Sequence, residues 1–284
     1  MTGPLNTVRI ACLQTNSGND YAANLATLGA MAHEAAGGGA KFIFSAEYML
    51  MMDGSGRTMR EKAQDAGGEP ALSALTALSR ELGVWHLAGS LTLMSDDGRM
   101  FNRSLLISAE GRIVAHYDKI HMFDATLPSG TVIKESSAYR PGERAVTAGT
   151  PWGRLGMTVC YDLRFPQLYR NLAQHGATML AIPSSFQRET GKAHWHVLLR
   201  ARAIENACFV IAPALCGDHP GKRMTYGHSL VIDPWGEVLA DGGEAPGVVF
   251  ADLDPAQVDK VRGMLPSLTH DRPFAPPSTE CYSS

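Results

Sequence analysis

Cys160 stands where a short apolar strand, Leu155-Gly156-Met157-Thr158-Val159, gives way to Tyr161-Asp162-Leu163-Arg164-Phe165-Pro166 and then to a helix. A side chain on such a turn is presented at the carboxyl edge of a sheet, where backbone N–H groups converge; serine hydrolases hold their nucleophile in the same way. A helix N-terminus or a nearby cation lowers a thiol from about 8.5 and makes thiolate available, so the chemistry expected of Cys160 is nucleophilic attack by sulfur. Such a nucleophile needs a base. None of the ten histidines stands at a matched strand end, but Glu47 follows the strand 41–44 beside Tyr48, Met49 and Leu50. Apolar neighbours of that kind raise a carboxyl and fit it for proton transfer. Lys119, in Tyr117-Asp118-Lys119-Ile120-His121, follows a further strand and can hold an ammonium over a developing oxyanion. Taken singly, each residue has an ordinary reading as well: a core thiol, a surface carboxylate after a strand, a solvated loop lysine.

The elements that must position these groups follow from periodicity. Residues 7–14 alternate Val8, Ile10 and Cys12 against Arg9, Ala11 and Leu13 and read as a strand. Residues 21–36 carry Leu25, Leu28 and Met31 at helical spacing and end at Gly37-Gly38-Gly39. A helix over 70–82 has Pro70 at its start and Gly83 just past its end. Strands at 84–93, 101–107 and 112–116 form a meander through the Asp96-Asp97-Gly98 and Glu110-Gly111 turns. Residues 117–143 read as one long irregular loop, the kind that carries function in a compact domain. The strand 154–159 leads into Cys160. Beyond it, strands at 178–182, 208–212, 229–232, 237–240 and 247–252 are interspersed with helices at 167–175, 193–206 and 255–263. Pro-Trp-Gly occurs at 151–153 and again at 234–236, each time as a hairpin turn. The intermixing predicts one α/β domain over residues 1–272 and a loose tail over 273–284.

Composition bounds the function. The 284 residues are 45% hydrophobic and 19% charged, with a net charge of −3, which excludes a disordered, collagenous or coiled-coil chain. The charge balance excludes nucleic-acid binding by bulk electrostatics. No apolar run approaches the roughly 18 residues of a membrane helix, and Ile10-Ala11-Cys12-Leu13 is too brief for a signal segment, so a soluble cytoplasmic protein without a membrane partner is expected. Five widely spaced cysteines, an odd number, do not suggest a disulfide framework. Cys216, His219, His228 and the pair His194/His196 can be assembled into a metal-ligand set. One Cys-x2-His without a second close pair, and two histidines two apart on a helix, are nevertheless a poor zinc signature. No metal and no cofactor are expected.

Together the residues are more specific than their parts. Glu47, Lys119 and Cys160 resemble the Glu-Lys-Cys triad of the nitrilase superfamily of carbon–nitrogen hydrolases, and the likeness runs from about Thr7 to Phe274. Residues 117–124, Tyr-Asp-Lys-Ile-His-Met-Phe-Asp, are similar to the family's lysine motif, and 159–166, Val-Cys-Tyr-Asp-Leu-Arg-Phe-Pro, to its cysteine motif. Lys134-Glu135-Ser136 resembles the segment that supplies a second active-site Glu. The stretch 191–206 and Tyr226-Gly227-His228-Ser229 are similar to the Nit branch. Cys216-Gly217 with His219 and Lys222-Arg223 is closer to that branch's deaminated glutathione amidases than to its omega-amidases. The chain departs from the family in having Ser45-Ala46-Glu47 where a proline usually precedes the Glu, and in its Met- and Gly-rich stretch 49–60.

The resemblance implies a four-layer αββα sandwich and a cysteine-dependent amidase. Cys160 forms a thioester, Glu47 moves the protons, Lys119 and the Tyr161 N–H hold the oxyanion, and Glu135 orients Lys119 or the substrate. It implies a small anionic amide as substrate, with deaminated glutathione giving 2-oxoglutarate and Cys-Gly. Omega-amidase, carbamoylase and nitrilase activities stand as alternatives within the superfamily, and a non-catalytic scaffold as one outside it. Arg164, Ser184 and Arg223 are the expected substrate contacts, whereas Arg188 and Lys222 read as surface charge. A homodimer is expected across the helices 167–175 and 193–206, the second bearing Trp195, Leu198, Leu199 and Ile204 on roughly one face.

Overall fold

A computed structural model describes residues 7–277. In chain order the elements of the first half are β1 (Val8–Gln14), α1 (Tyr21–Gly37), β2 (Phe42–Ser45), α2 (Gly56–Gly67), α3 (Glu69–Leu82), β3 (Trp85–Met94), β4 (Met100–Ile107), β5 (Ile113–Asp118), β6 (Asp124–Thr126) and β7 (Val132–Lys134). The second half holds β8 (Val146–Thr150), β9 (Gly153–Met157), α4 (Pro166–Gln174), β10 (Met179–Ala181), α5 (Arg188–Asn206), β11 (Phe209–Ala212), β12 (Cys216–His219), β13 (Arg223–Tyr226), β14 (Leu230–Ile232), β15 (Val238–Asp241), β16 (Gly247–Leu253) and α6 (Ala256–Met264).

These elements form two six-stranded sheets, ordered β16-β1-β2-β3-β4-β5 and β15-β14-β11-β10-β9-β8. Each has a parallel centre, β1-β2-β3 in one and β9-β10-β11 in the other. The sheets pack face to face through Ile10, Phe42 and Phe44 of the first and Leu155, Met157 and Val210 of the second, in one buried cluster that continues into Tyr169 of α4 and Trp195 of α5. A separate cluster joins the other face of the first sheet, through Ala11, Leu13 and Ile43, to Leu28 of α1 and Leu75 of α3. The layers therefore run helix, sheet, sheet, helix, the four-layer sandwich implied by the sequence. The first Pro-Trp-Gly turn helps lock the sheets: the Trp152 ring stacks on Phe42 at 5.8 Å between centroids.

The topology sets the site. Two antiparallel steps, β3 to β4 and β4 to β5, return β5 to the direction of β2, so the carboxyl ends of both strands lie on one edge of the first sheet. At Gly89 in β3 a Cβ would lie 1.8 Å from the Ser45 carbonyl oxygen, so this close packing against the end of β2 requires glycine.

Four features depart from the sequence reading. The stretch 49–60 is not all loop, because α2 begins at Gly56; its glycine start and Met content hid a helix that buries Met59 and Ala63. The 117–143 segment carries the hairpin β6-β7 and a 3₁₀ turn at Glu135–Ser137. The hairpin β12-β13 was not anticipated, since β12 contains Gly217 in a left-handed conformation, whereas β8 is the first arm of the hairpin read at 151–153. On α5, Ile204 is exposed while Trp195 and Leu199 are buried, so Ile204 belongs to a different face. Residues 271–277 are exposed and carry no helix or strand, and the rest of the expected tail lies outside the described residues.

Candidate active site

Glu47 lies just past β2, Lys119 just past β5 and Cys160 three residues beyond Met157, the last paired residue of β9. All three line one cavity of about 370 Å³. Two of these junctions are held in unusual backbone conformations, Tyr48 at φ 59° and Cys160 at φ 49°. Left-handed backbone costs a non-glycine residue on the order of 1–2 kcal/mol and persists only where the surroundings impose it. At Cys160 the constraint is visible: its N–H donates to the Pro183 carbonyl at 3.0 Å, tying the turn to the end of β10. Asp162 does the rest. Its fully buried carboxylate accepts from the Val159 N–H at 2.8 Å and the Tyr117 hydroxyl at 2.7 Å, and lies 2.7 Å from the His121 ring Nδ1. Tyr117 belongs to β5 and His121 to the lysine loop, so this one carboxylate fixes the cysteine turn against the lysine segment across the two sheets.

Lys119 is clamped between two carboxylates. Its Nζ donates to both oxygens of Glu135 at 2.8 Å and to Glu47 Oε1 at 3.2 Å. Glu135 is itself held by the Phe123 N–H at 2.6 Å and the Tyr48 hydroxyl at 3.2 Å. Glu47 Oε1 also accepts from Asn102 Nδ2 at 2.8 Å, while Oε2 accepts from the Ser185 N–H at 2.8 Å and its hydroxyl at 2.6 Å. Cys160 lines the same cavity as Glu47.

These contacts set the charges. Burial pushes the Glu47 carboxyl up, but Lys119, Ser185, Cys160 and Asn102 outweigh it and hold the group below the usual carboxylate range. This corrects the sequence expectation of a raised carboxyl, which counted the apolar neighbours and not the ammonium. Burial alone would lower Lys119; Glu135 and Glu47 reverse that and keep it firmly protonated. Burial, followed by the Glu47 charge, pushes the Cys160 thiol well up despite the opposing pull of Lys119. The expectation of ready thiolate is therefore also corrected: the resting pair is a neutral thiol beside an ionised carboxylate.

The remaining predicted residues divide. Glu135 and Arg223 line the main cavity. Tyr161 and Arg164 line a narrow cleft on the other side of Cys160, with Arg164 stacked over the Tyr161 and Phe186 rings at 5.7 and 5.5 Å. Ser184 does not reach the site: it is fully buried and its hydroxyl donates to the Ile182 carbonyl at 3.0 Å. Side chains alternate along extended backbone, so the next residue, Ser185, takes the place expected of Ser184. Lys222, read as surface charge, lines the cavity beside Arg223, whereas Arg188 pairs outward with Asp218 at 2.6 Å. Met52, Asp53, Gly54 and Met59 form the opposite wall, so the stretch 49–60 does shape the pocket. Asn102, Ser185 and Tyr48 were missed. None of the three left a signal in the sequence: Asn102 stands with Arg103 and Ser104 in a polar stretch of β4.

A thiol, a carboxylate and a fixed ammonium around one cavity, on this sandwich, fit a cysteine hydrolase of the nitrilase fold. The profile of the carbon-nitrogen hydrolase family matches residues 9–263, and the chain belongs to that family. Among curated proteins it is similar to the deaminated glutathione amidase of Synechocystis sp., 43% identical over 200 residues (69% of this chain, 74% of that protein). It is also similar to those of Homo sapiens, 39% identical, covering 93% of this chain and 82% of that protein, and Yersinia enterocolitica, 35% identical and covering 94% of both. Among solved structures, the C. elegans NitFhit protein superposes with a TM-score of 0.88 at 35% identity; the match covers 94% of this chain and spans 65% of that longer one. Saccharomyces cerevisiae Nit3, a member of branch 10 of the nitrilase superfamily, gives 0.83 at 26% identity over 92% of this chain and 94% of its own. The likeness to the Nit branch and the hydrolase class both stand on these matches. No helix among the described residues is long and apolar enough to cross a membrane.

Proposed function

We propose that the chain hydrolyses the amide bond of a small carboxylate-bearing substrate through a thioester on Cys160, and that deaminated glutathione is that substrate. The observation that carries this reading is the convergence of the thiol, the Glu47 carboxylate and the Lys119 ammonium on a cavity also lined by Asp53, Lys134, Lys222 and Arg223. Lys134, Lys222 and Arg223 in the lining suit an anionic substrate, and the curated relatives named above carry the corresponding activity in their names.

In the resting site, proton transfer from the raised thiol to the lowered carboxylate is uphill. It therefore accompanies C–S bond formation, as the sulfur loses electron density to the carbonyl carbon. The carbonyl oxygen becomes an oxyanion held by Lys119 and the Tyr161 N–H; one such donor is worth about 3 kcal/mol. Glu47 returns the proton to the leaving nitrogen, the C–N bond breaks, and the amine departs, leaving the thioester. Glu47 then takes a proton from water as its oxygen adds to the thioester. Collapse releases the carboxylic acid and restores the thiol. Glu135 fixes Lys119 through both of its oxygens and so keeps the ammonium aimed while Glu47 changes charge. No step calls on a metal or organic cofactor.

The same reading places the enzyme in the cytoplasm as a homodimer, with residues 1–272 as the catalytic domain. Val197 and Ile204, seven residues apart on α5 and 69% and 51% exposed, offer an apolar strip for the second copy. The test is product analysis on deaminated glutathione, 2-oxoglutaramate, an N-carbamoyl amino acid and a simple nitrile, with intact-mass detection of the acyl adduct. Fastest turnover of deaminated glutathione, with an adduct absent in Cys160→Ala, is the expected result. Preference for another member of the panel overturns the substrate, and an unreactive Cys160 overturns the mechanism.

A further inference from the structure

His196 of α5, His228 in the turn before β14 and Asp241 at the end of β15 converge away from the catalytic cavity, with one ligand-capable atom from each lying within 4.8 Å of the others. His228 Nδ1 lies 2.8 and 3.1 Å from the two Asp241 oxygens, and His196 Nε2 lies 3.1 Å from Oδ2. We propose that these three residues bind a divalent cation of the zinc class.

The argument is geometric and chemical. Two imidazoles and a carboxylate are the ligands that zinc and its first-row neighbours prefer. With metal–ligand bonds near 2.0–2.1 Å, the edge of a tetrahedral site is about 3.3 Å, close to the two His–Asp separations found. The third edge closes by rotation of the His196 side chain, which is 35% exposed.

Two of the three ligands, His228 and Asp241, are also held in place. The Trp195 indole N–H donates to the His228 carbonyl at 2.8 Å, the Gly243 N–H donates to Asp241 Oδ1 at 2.9 Å, and Tyr226 stacks on the His228 ring at 4.4 Å. His228 sits at φ 53°, a conformation imposed by this packing and one that aims its ring at Asp241. The ligand set weighed and set aside in the sequence grouped these histidines with Cys216 and His219. In the structure His219 is buried on the Ser17 carbonyl and Thr225, and Asp241, the missing ligand, comes from a distant strand. An ion here would tie α5 to the β14-β15 hairpin and leave one coordination position for water.

The test uses the full chain stripped with EDTA and titrated with ZnCl2 by calorimetry, and with CoCl2 by visible absorption. Wild type is expected to bind one ion per chain. His196→Ala and Asp241→Asn are each expected to weaken binding at least tenfold, and His33→Ala, on the far helix layer, to leave it unchanged. His196→Gln, which keeps a hydrogen bond to Asp241, guards against misfolding and is expected to behave as His196→Ala does. Equal binding by wild type and both His196 variants, or no binding by wild type below about 100 µM, overturns the proposal. Amide hydrolysis by the metal-free protein is expected to be unimpaired, since none of the three lines the catalytic cavity.

Discussion

Ser185→Ala is the sharpest probe of how the base is held. The hydroxyl donates to Glu47 Oε2 at 2.6 Å and the backbone N–H donates to the same oxygen at 2.8 Å, so the substitution removes one of two donors and leaves the backbone in place. A hydrogen bond to a buried charge is worth about 1.5–3 kcal/mol, and one pKa unit corresponds to about 1.4 kcal/mol. The hydroxyl can still bond weakly to a protonated carboxyl, so the lower end applies and Glu47 should rise by about one unit. Glu47 sits below its ordinary range in the native enzyme, so it is a carboxylate throughout the neutral region and protonates only in acid. The acid limb of kcat/KM should therefore move up by about one unit while activity near pH 8 changes little. Stability follows the same sign: a depressed carboxyl stabilises the fold above its unfolded value and loses that contribution as pH falls through the native one, so the variant should be less stable than wild type at neutral pH and the gap should narrow in acid. The assay is a kcat/KM profile from pH 4 to 9 with a parallel melting series. An acid limb that stays in place would refute the reasoning, since the limb would then belong to a group Ser185 does not touch.

The other predictions concern the groups around it. Lys119→Ala should lower kcat by 10²–10³ with a smaller change in KM, and should lower Tm as well, because two buried carboxylates lose their cation at a cost of about 3–5 kcal/mol; an unchanged kcat removes the oxyanion role. Asp162→Asn should reduce kcat while the sheets stay folded, because the turn bearing Cys160 loses charge-assisted bonds from Val159 and Tyr117; kinetics with circular dichroism checks both halves. Gly54→Ala should raise KM, because the new Cβ would meet the Gly221 carbonyl oxygen at 2.3 Å and push apart two cavity walls; an unaltered KM would mean those walls do not touch substrate.

The sequence was informative where one dominant local force decides structure. Periodicity placed β1, α1 and α3 within a residue or two, and a strand feeding a sharp turn marked Cys160, because alternation and turn chemistry are local properties. The charge states of Glu47 and Cys160 were misread because they depend on neighbours brought together from opposite sheets. Lys119 reverses the effect of burial on the carboxylate, and the cavity wall denies the thiol the solvation that a helix end would have enhanced. Ser185 was confused with Ser184 because strand pairing continues through Ser184, whose N–H donates to Pro213, and the end of an alternating segment cannot be located to one residue from composition. The hairpin β12-β13 was missed because neither strand alternates strongly in hydrophobicity; their pairing with each other and polar contacts such as His219 on the Ser17 carbonyl hold them.

The base and the ammonium hang from one sheet, and the nucleophile with Ser185 from the other. Turnover is thus a gauge of the spacing between two slabs that could each keep their own ladders intact. A partial opening along that seam would silence the enzyme before far-ultraviolet dichroism registered any loss, and ligands spanning both slabs would act as rivets. Heat or denaturant should extinguish catalysis ahead of backbone melting, by a margin that shrinks as substrate is added.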